Sequence, residues 1–297
     1  MNNSRDESKI GMIYAICAFT FWGLIPIYFK QVSSVLAFEV LIHRIIWSVV
    51  VLIILIVITK QSSIVKDLFK SLTKLKYLIL SSFLVSVNWL IFIWAVSNNQ
   101  IVETSLGYFI NPLVNVVLGY LFFSERMNKN QYIAIAIAFI AVLYQVISLG
   151  ELPLVSLALA FSFGLYGLVR KKIDVASIPG LFVETIVILP FALIYFYYLV
   201  DTNTSAFVGD DSYITLMLSL GGIITVIPLL LFNGAATRMK LTTLGFFQYI
   251  GPTLAFCVAI FIYNEPMNLD KLITFILIWI ALVIFSWDGI KNKKSKS

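Results

Sequence analysis

Charge is scarce in this chain. Asp, Glu, Lys and Arg together make up 12% of its 297 residues, about half the share of an ordinary soluble domain, which excludes a surface that meets water all round. Cysteine is limited to Cys17 and Cys257, both inside apolar runs, so no disulfide framework is expected. His43 is the only histidine, and no metal-ligand spacing accompanies it. Gly and Pro are sparse at 15 and 8 residues beside 15% aromatics, which excludes collagen-like and disordered chains. The phosphate-cradling G-x-x-x-x-G-K-[ST] loop is absent, as are H-E-x-x-H and G-x-S-x-G. No cofactor, metal or enzymatic activity is therefore expected, and transport by an isolated chain of this kind would draw on gradients.

What the chain has is apolar length, with 60% hydrophobic residues and a mean hydropathy of +0.97. A helix needs about 20 apolar residues to cross a hydrocarbon core of about 30 Å. Ten such runs stand out, at residues 10–29, 36–58, 75–97, 103–123, 131–149, 152–169, 179–199, 213–235, 242–263 and 270–287. The polar-apolar alternation of a membrane β-barrel is missing, so the expected class is an all-α integral membrane protein whose helices satisfy their own backbone groups. The first run follows Arg5 and Lys9 as a signal peptide would. It continues through Trp22, Gly23 and Pro26 without a small-residue cleavage pattern, and it reads as the first permanent helix.

Lys and Arg concentrate in cytoplasmic segments of membrane proteins. With the N-terminus inside, the inner segments hold 18 of the 21 cations: Arg5, Lys9, five between Lys60 and Lys76, Arg126, Lys129, Arg170 to Lys172, Arg238, Lys240 and four from Lys291 onward. Asp201, Asp210 and Asp211 fall in one outer loop. This predicts a multi-pass protein of the cytoplasmic membrane with both termini in the cytoplasm. The stretch from Lys60 to Lys76 carries Ile64, Leu68, Leu72 and Leu75 at helical spacing, the pattern of a short amphipathic helix at the anionic leaflet, although orientation alone accounts for its charges. Scattered cations on one face without a soluble module do not support nucleic-acid binding.

The sequence also repeats at an offset of about 140 residues. Tyr108-Phe109-Ile110-Asn111-Pro112 precedes Glu125-Arg126-Met127-Asn128, and Gln248-Tyr249-Ile250-Gly251-Pro252 precedes Glu265-Pro266-Met267-Asn268, with 13 residues from Pro to Glu in both. Phe21-Trp22-Gly23-Leu24 matches Ser162-Phe163-Gly164-Leu165 more weakly. Two units result, 1–149 with five helices and 150–297 with five helices and a basic tail. Five is odd, so the second unit enters the membrane from the opposite side. Inverted repeats are a recurrent plan of secondary transporters, in which two halves rock about a shared central site.

Several segments resemble the drug/metabolite transporter superfamily, within it the EamA family, and more closely its RarD-type permeases. They are Phe21-Trp22-Gly23-Leu24-Ile25-Pro26-Ile27-Tyr28-Phe29-Lys30, His43-Arg44-Ile45-Ile46-Trp47-Ser48, Asn88-Trp89 with Trp94-Ala95-Val96, Ser105-Leu106-Gly107-Tyr108-Phe109-Ile110-Asn111-Pro112-Leu113, and Gln248-Tyr249-Ile250-Gly251-Pro252-Thr253. The likeness covers nearly the whole chain. It implies a permease in which helices one, three and four, with six, eight and nine, surround a central cavity for a small metabolite or drug.

Ionisable groups at membrane depth cost about 2.5–3.5 kcal/mol on insertion scales and usually face a cavity or a partner. Three stand out: His43, Arg44 and Glu184. Arg44 either binds an anionic group or staples its helix to a neighbour; His43 or Glu184 either carries a proton or is structural, Glu184 through interfacial water. Asn111-Pro112 and Gly251-Pro252 mark expected helix breaks, the best sequence pointers to a transporter's site, or else fixed kinks. Tyr108, Asn111 and Asn115, with Gln248 and Tyr249, offer uncharged donors and acceptors there. Trp22, Asn88, Trp89, Trp94 and Tyr166 add amphipathic surface on helices that the resemblance places around the cavity. The expected activity is secondary transport of a small polar or amphipathic solute by alternating access, in contact with membrane lipids, by a monomer or homodimer. An intramembrane enzyme on a lipid-linked substrate would need Arg44, His43 and Glu184 to converge, yet about 12 Å of depth separates His43 from Glu184 at 1.5 Å per residue. A channel is the third alternative.

Overall fold

The computed structural model describes residues 2–97, 101–150, 153–264 and 269–294, and among these there are twelve helices and no strand. They are α1 (Asn2–Gln31), α2 (Ala37–Ile58), α3 (Ser62–Lys70), α4 (Leu72–Ser97), α5 (Ile101–Phe123), α6 (Lys129–Leu149), α7 (Leu154–Ile173), α8 (Ser177–Asp201), α9 (Ser212–Arg238), α10 (Leu241–Phe247), α11 (Ile250–Phe261) and α12 (Leu269–Lys294). Nine stretches among the described residues are long and apolar enough to cross a bilayer, Leu241–Val258 of α10 and α11 counting as one. The apolar stretch Leu272–Phe285 of α12 is shorter. The motif Glu265 to Asn268 lies outside the described residues.

Two expectations about helix breaks separate here. The ninth run is divided into α10 and α11 by a local tightening at Gln248 and Tyr249, which keep right-handed helical dihedrals while the backbone bonds of Gln248, Tyr249 and Gly251 shift to the residue three back. Pro252 falls in the first turn of α11, where its missing N–H would have had no intrahelical partner anyway. The first-half counterpart is different: α5 continues straight through Pro112. Membrane helices tolerate an internal proline. Here the missing N–H leaves the Tyr108 carbonyl without its helical donor, and Gly245 of α10 packs so close on the same turn of α5 that a β-carbon there would lie 2.7 Å from the Pro112 carbonyl oxygen.

Ends are set by local chemistry. The Asn128 side chain accepts from the Gln131 amide and the Gln131 side chain returns the bond, a capping box that starts α6, which ends at Gly150 with φ +79°. Asp211 caps α9 through the amides of Tyr213 and Ile214. α3 covers only the first part of the amphipathic segment expected from Lys60 to Lys76, because the helix ends at Lys70 and Leu72 and Leu75 belong to α4. Its Leu68 is buried with Leu78, Val175 and Val183 of the bundle.

Long helices pack as a bundle in which α1 lies on α9 and α11, α7 lies on α4 and α5, α2 contacts α8 and α9, and α6 pairs with α12. At one face Tyr213 bonds Gln31, and at the other Arg238 pairs with Glu7. The second is the face that carries most of the cations. Small residues let backbones touch, as is common between membrane helices. A β-carbon at Gly222 of α9 would run into the backbone carbonyl of Trp47 of α2. Gly222→Ala is therefore expected to cost about 1–3 kcal/mol by overpacking, read as a lowered thermal midpoint in detergent. Gly209→Ala, in an exposed loop with a nearest contact of 3.4 Å, should leave the midpoint unchanged.

Candidate functional site

A cavity of about 250 Å³ opens within the bundle. α1 lines it with Phe19, Trp22, Pro26 and Phe29, α2 with Arg44, α4 with Asn88, Trp89 and Phe92, and α5 with Gly107, Tyr108 and Asn111. Across from these are Phe163 of α7, Thr225 and Leu229 of α9, and Gln248, Gly251 and Pro252 of the α10–α11 joint. α1 contributes residues 19–29 rather than its first two turns. The cavity thus occupies the half of the bundle nearer the face that holds Gln31.

Its polar wall has three parts. Arg44 is the one charged lining residue among the described residues. Its Nε donates to Thr225 Oγ1 at 2.9 Å, and its guanidinium stands over the rings of Phe29 and Trp89, 5.6 and 5.1 Å from their centroids. Asn111 and Gln248 form the second part: Asn111 Oδ1 accepts from Gln248 Nε2 at 2.5 Å and from Asn115 Nδ2 at 3.2 Å, while Asn111 Nδ2 donates to the Ala160 carbonyl. Asn115 Nδ2 also reaches Gln248 Oε1. These amides tie α5 to α7 and to the α10–α11 joint. The third part is Asn88, whose Nδ2 donates to the Leu159 carbonyl and lies 3.0 Å from Ser162 Oγ.

Toward the basic face the cavity ends on an aromatic floor. Trp22 meets Phe163 edge-on at 5.6 Å, and Phe19, Trp22 and Phe163 all surround Phe232 at 5.0–6.2 Å. Tyr166 stacks beneath Phe232. Its hydroxyl lies 3.1 Å from Asn233 Oδ1 and 3.4 Å from Glu184 Oε2. Glu184 accepts from Ser81 Oγ and pairs with Arg170 at 3.3 Å, both charged side chains being at most 1% exposed. A β-carbon at Gly180 would collide with Arg170 Nη1, so a larger residue there would push the guanidinium from its present place beside Glu184.

A second carboxylate closes the basic face. Glu125, just past α5, accepts from the backbone N–H of Leu241 and of Thr242, both at 2.8 Å, and stands 3.3 Å from Lys171 Nζ. Lys171 also donates to the Met239 carbonyl. Burial favours the neutral acid, but the hydrogen bonds from Thr242 and Leu241 and the charge of Lys171 overcome it and hold the Glu125 carboxyl below 4.5.

Among the residues singled out in sequence, Trp22, Arg44, Asn88, Trp89, Tyr108, Asn111, Gln248 and Pro252 come together on the cavity wall. Asn115, at 0% exposed, sits one layer behind, and Tyr166 and Tyr249 are equally buried, Tyr249 donating to the Phe109 carbonyl. Trp94 is 49% exposed and off the wall, on the outside of α4. Pro112 does not line the cavity. His43 is packed between Phe207, stacked at 4.4 Å, and Phe196, with Glu39 Oε1 at 4.0 Å. Glu184 is not at interfacial water, because Arg170 turns inward to meet it. Arg44, His43 and Glu184 thus occupy separate surroundings. Sequence reading missed Thr225, the aromatic floor and Arg170. The available signal for Arg170 was Gly180 four residues before Glu184.

A bundle of long apolar helices around a cavity lined from both early and late segments of the chain fits a small-solute permease. A profile of the EamA-like transporter family matches residues 9–147. The chain is 48% identical to an uncharacterized transporter of Vibrio cholerae over 98% of this chain and 96% of that one. It is 47% and 46% identical to Protein RarD of Salmonella typhimurium and of Escherichia coli, over 98% of this chain and 99% and 98% of theirs. A crystal structure at 15% identity shares the fold, with a TM-score of 0.71 over 92% of this chain and 96% of that one. The chain belongs to the EamA family and is a RarD-type permease, a multi-pass membrane protein.

Two outcomes follow for the buried charges. Arg170→Met should destabilise the protein by about 3–5 kcal/mol, since it strands Glu184, and adding Glu184→Gln should recover most of that loss in detergent unfolding. For Glu125, the folded carboxyl titrates below its unfolded value, so its stabilisation is complete above about pH 4.5 and disappears as pH falls through the folded value. The stability gap between wild type and Glu125→Gln should accordingly be wide at neutral pH and close in acid.

Proposed function

We propose that the protein is a secondary carrier of the cytoplasmic membrane that moves a small polar or amphipathic solute by alternating access, with ten membrane helices in two inverted five-helix units, 1–149 and 150–297, and both termini in the cytoplasm. The observation that carries this reading is the cavity itself, whose wall draws residues from both units and whose end toward the basic face is an aromatic floor. Helix packing supports the repeat. Exchanging α1 with α7, α4 with α9 and α5 with α11 turns the α1–α9 and α1–α11 contacts into the α7–α4 and α7–α5 contacts, which are also present.

In this arrangement the cargo enters from the face of Gln31 and meets Trp22, Asn88, Tyr108, Asn111 and Gln248. Opening the basic face requires parting the Phe163–Phe232 floor and releasing Glu125 from α10 and Lys171. The separate surroundings of Arg44, His43 and Glu184 favour carriage over intramembrane catalysis, which would need them on one patch.

Saturable, protein-dependent uptake of at least one compound from a radiolabelled panel of metabolites into proteoliposomes is the expected result. No such movement, or accumulation of a chemically altered compound, would overturn the reading. Gln248→Ala should weaken half-saturation or rate about fivefold, the equivalent of about 1 kcal/mol for one hydrogen bond. Wild-type flux from that variant would remove Gln248 from the cargo's path.

A further inference from the structure

We infer that the cargo is a small organic anion, a carboxylate on a flat apolar body, and that Arg44 and Tyr108 hold its charge. This rests on reading the cavity as the transport site.

The charge balance of the wall points to a negative partner. Among the described residues Arg44 is the only formal charge lining the cavity, and no described Asp or Glu lines it. Elsewhere in the bundle, buried cations have carboxylate partners: Arg170 has Glu184 and Lys171 has Glu125. Arg44 has none among the described residues. Its Nε is taken by Thr225, and its two terminal nitrogens make no hydrogen bond to the described residues. An unmatched charge at membrane depth marks a functional group by default, and a guanidinium presents its terminal donors as a fork that fits a carboxylate.

Geometry prepares that fork. The Thr225 bond fixes the inner edge of the guanidinium and the Phe29 and Trp89 rings flank it, so little ordering is left for binding to do. Tyr108 lies close enough to Arg44 to feel its charge, and its hydroxyl has no protein partner among the described residues. It is 53% exposed although it sits inside the bundle, which means that it faces the cavity. The amides of Asn111 and Gln248, by contrast, are engaged with each other. The donors left free are therefore those suited to an oxyanion.

Size and shape give the rest of the cargo. About 250 Å³ corresponds to about eight water molecules at about 30 Å³ each, room for a ring with a short acidic arm. Trp22, Phe92 and Phe163 supply flat faces for that ring. A cationic solute would meet Arg44 with no acid to offset it.

The test is a thermal-shift comparison on the purified full-length protein in detergent near neutral pH. Benzoate, phenylacetate and indole-3-acetate are compared with their methyl esters and with benzylamine, phenethylamine and tryptamine. The acids are expected to raise the unfolding midpoint, and the esters and amines to leave it unmoved. Partition into the micelle would favour the esters, so it cannot imitate this order. Arg44→Gln should weaken acid binding by about tenfold or more, and Tyr108→Phe by less, as loss of a charge-assisted against a single neutral donor requires. Should Arg44→Gln fail to fold, the order of acid, ester and amine on the wild type decides alone. Esters or amines that stabilise as well as the acids, wild-type acid binding by Arg44→Gln, or no shift with any acid at millimolar concentration would each overturn the inference. Flux of neutral or cationic solutes insensitive to Arg44→Gln would sink the anion site and leave the carrier reading intact. Arg44-dependent acid binding without flux would do the reverse.

Discussion

Inside a lipid bilayer there is no water to complete an unfinished hydrogen bond, and every polar group within the bundle must find its partner in the protein or in a wet cavity. This constraint sorts the polar residues of the chain. Glu184 is matched by Arg170, Ser81 and Tyr166, and Glu125 by two backbone amides and Lys171. Asn111, Asn115 and Gln248 are matched to one another. Among the described residues that line the cavity, the guanidinium fork of Arg44 and the hydroxyl of Tyr108 have no hydrogen-bond partner in the protein, while away from the cavity the ring nitrogens of His43 and Nε1 of Trp47 are also left without one. A permease must keep some groups unfinished for its cargo, and here they are few and lie on one wall.

The matched groups also divide by position. The amide cluster joins the α10–α11 joint to α5 and α7 beside the cavity. The Tyr166–Glu184–Arg170 network lies under the aromatic floor, where it stiffens the junction of α4, α7, α8 and α9. Glu125 works at the face itself, capping α10 from the loop after α5. Those three layers close one end of the bundle, and each joins helices from both halves of the chain. The contacts at that end join residues before position 150 to residues after it: Ser81 to Glu184, Glu125 to the Leu241 amide, and Asn111 to Gln248.

Related sequence does not guarantee related backbone. Pro112 and Pro252 occupy corresponding places, yet α5 stays whole and the second-half run divides into two helices. The difference lies in register. Pro252 stands in the first turn after the joint, whereas Pro112 lies mid-helix under the backbone of α10. The divided helix brings Gln248 and the backbone of Gly251 to the cavity, and the unbroken one brings Tyr108 and Asn111 on consecutive turns. The two halves therefore present different chemistry to the cavity despite their shared pattern.

How much of this was legible beforehand follows from the kind of information each feature needs. Membrane character, helix positions and the basic face depend on composition and local periodicity, which a linear chain displays fully, and the RarD-type motifs placed Trp22, Arg44, Asn88, Tyr108, Asn111 and Gln248 near one another. Whether a polar residue is spent or free cannot be read that way, because it depends on groups far off in sequence. Glu184 looked accessible to the interface until Arg170, counted among loop cations, folded inward over Gly180. Asn115 and Tyr166 had the right chemistry and are buried behind the wall, and Trp94 points off it, because a turn of a helix by about 100° per residue separates cavity from lipid. Sequence determined which residues enter the membrane. Tertiary packing alone decided which of them remain unpaired there, since in a low-dielectric interior a residue's role is set by its neighbours.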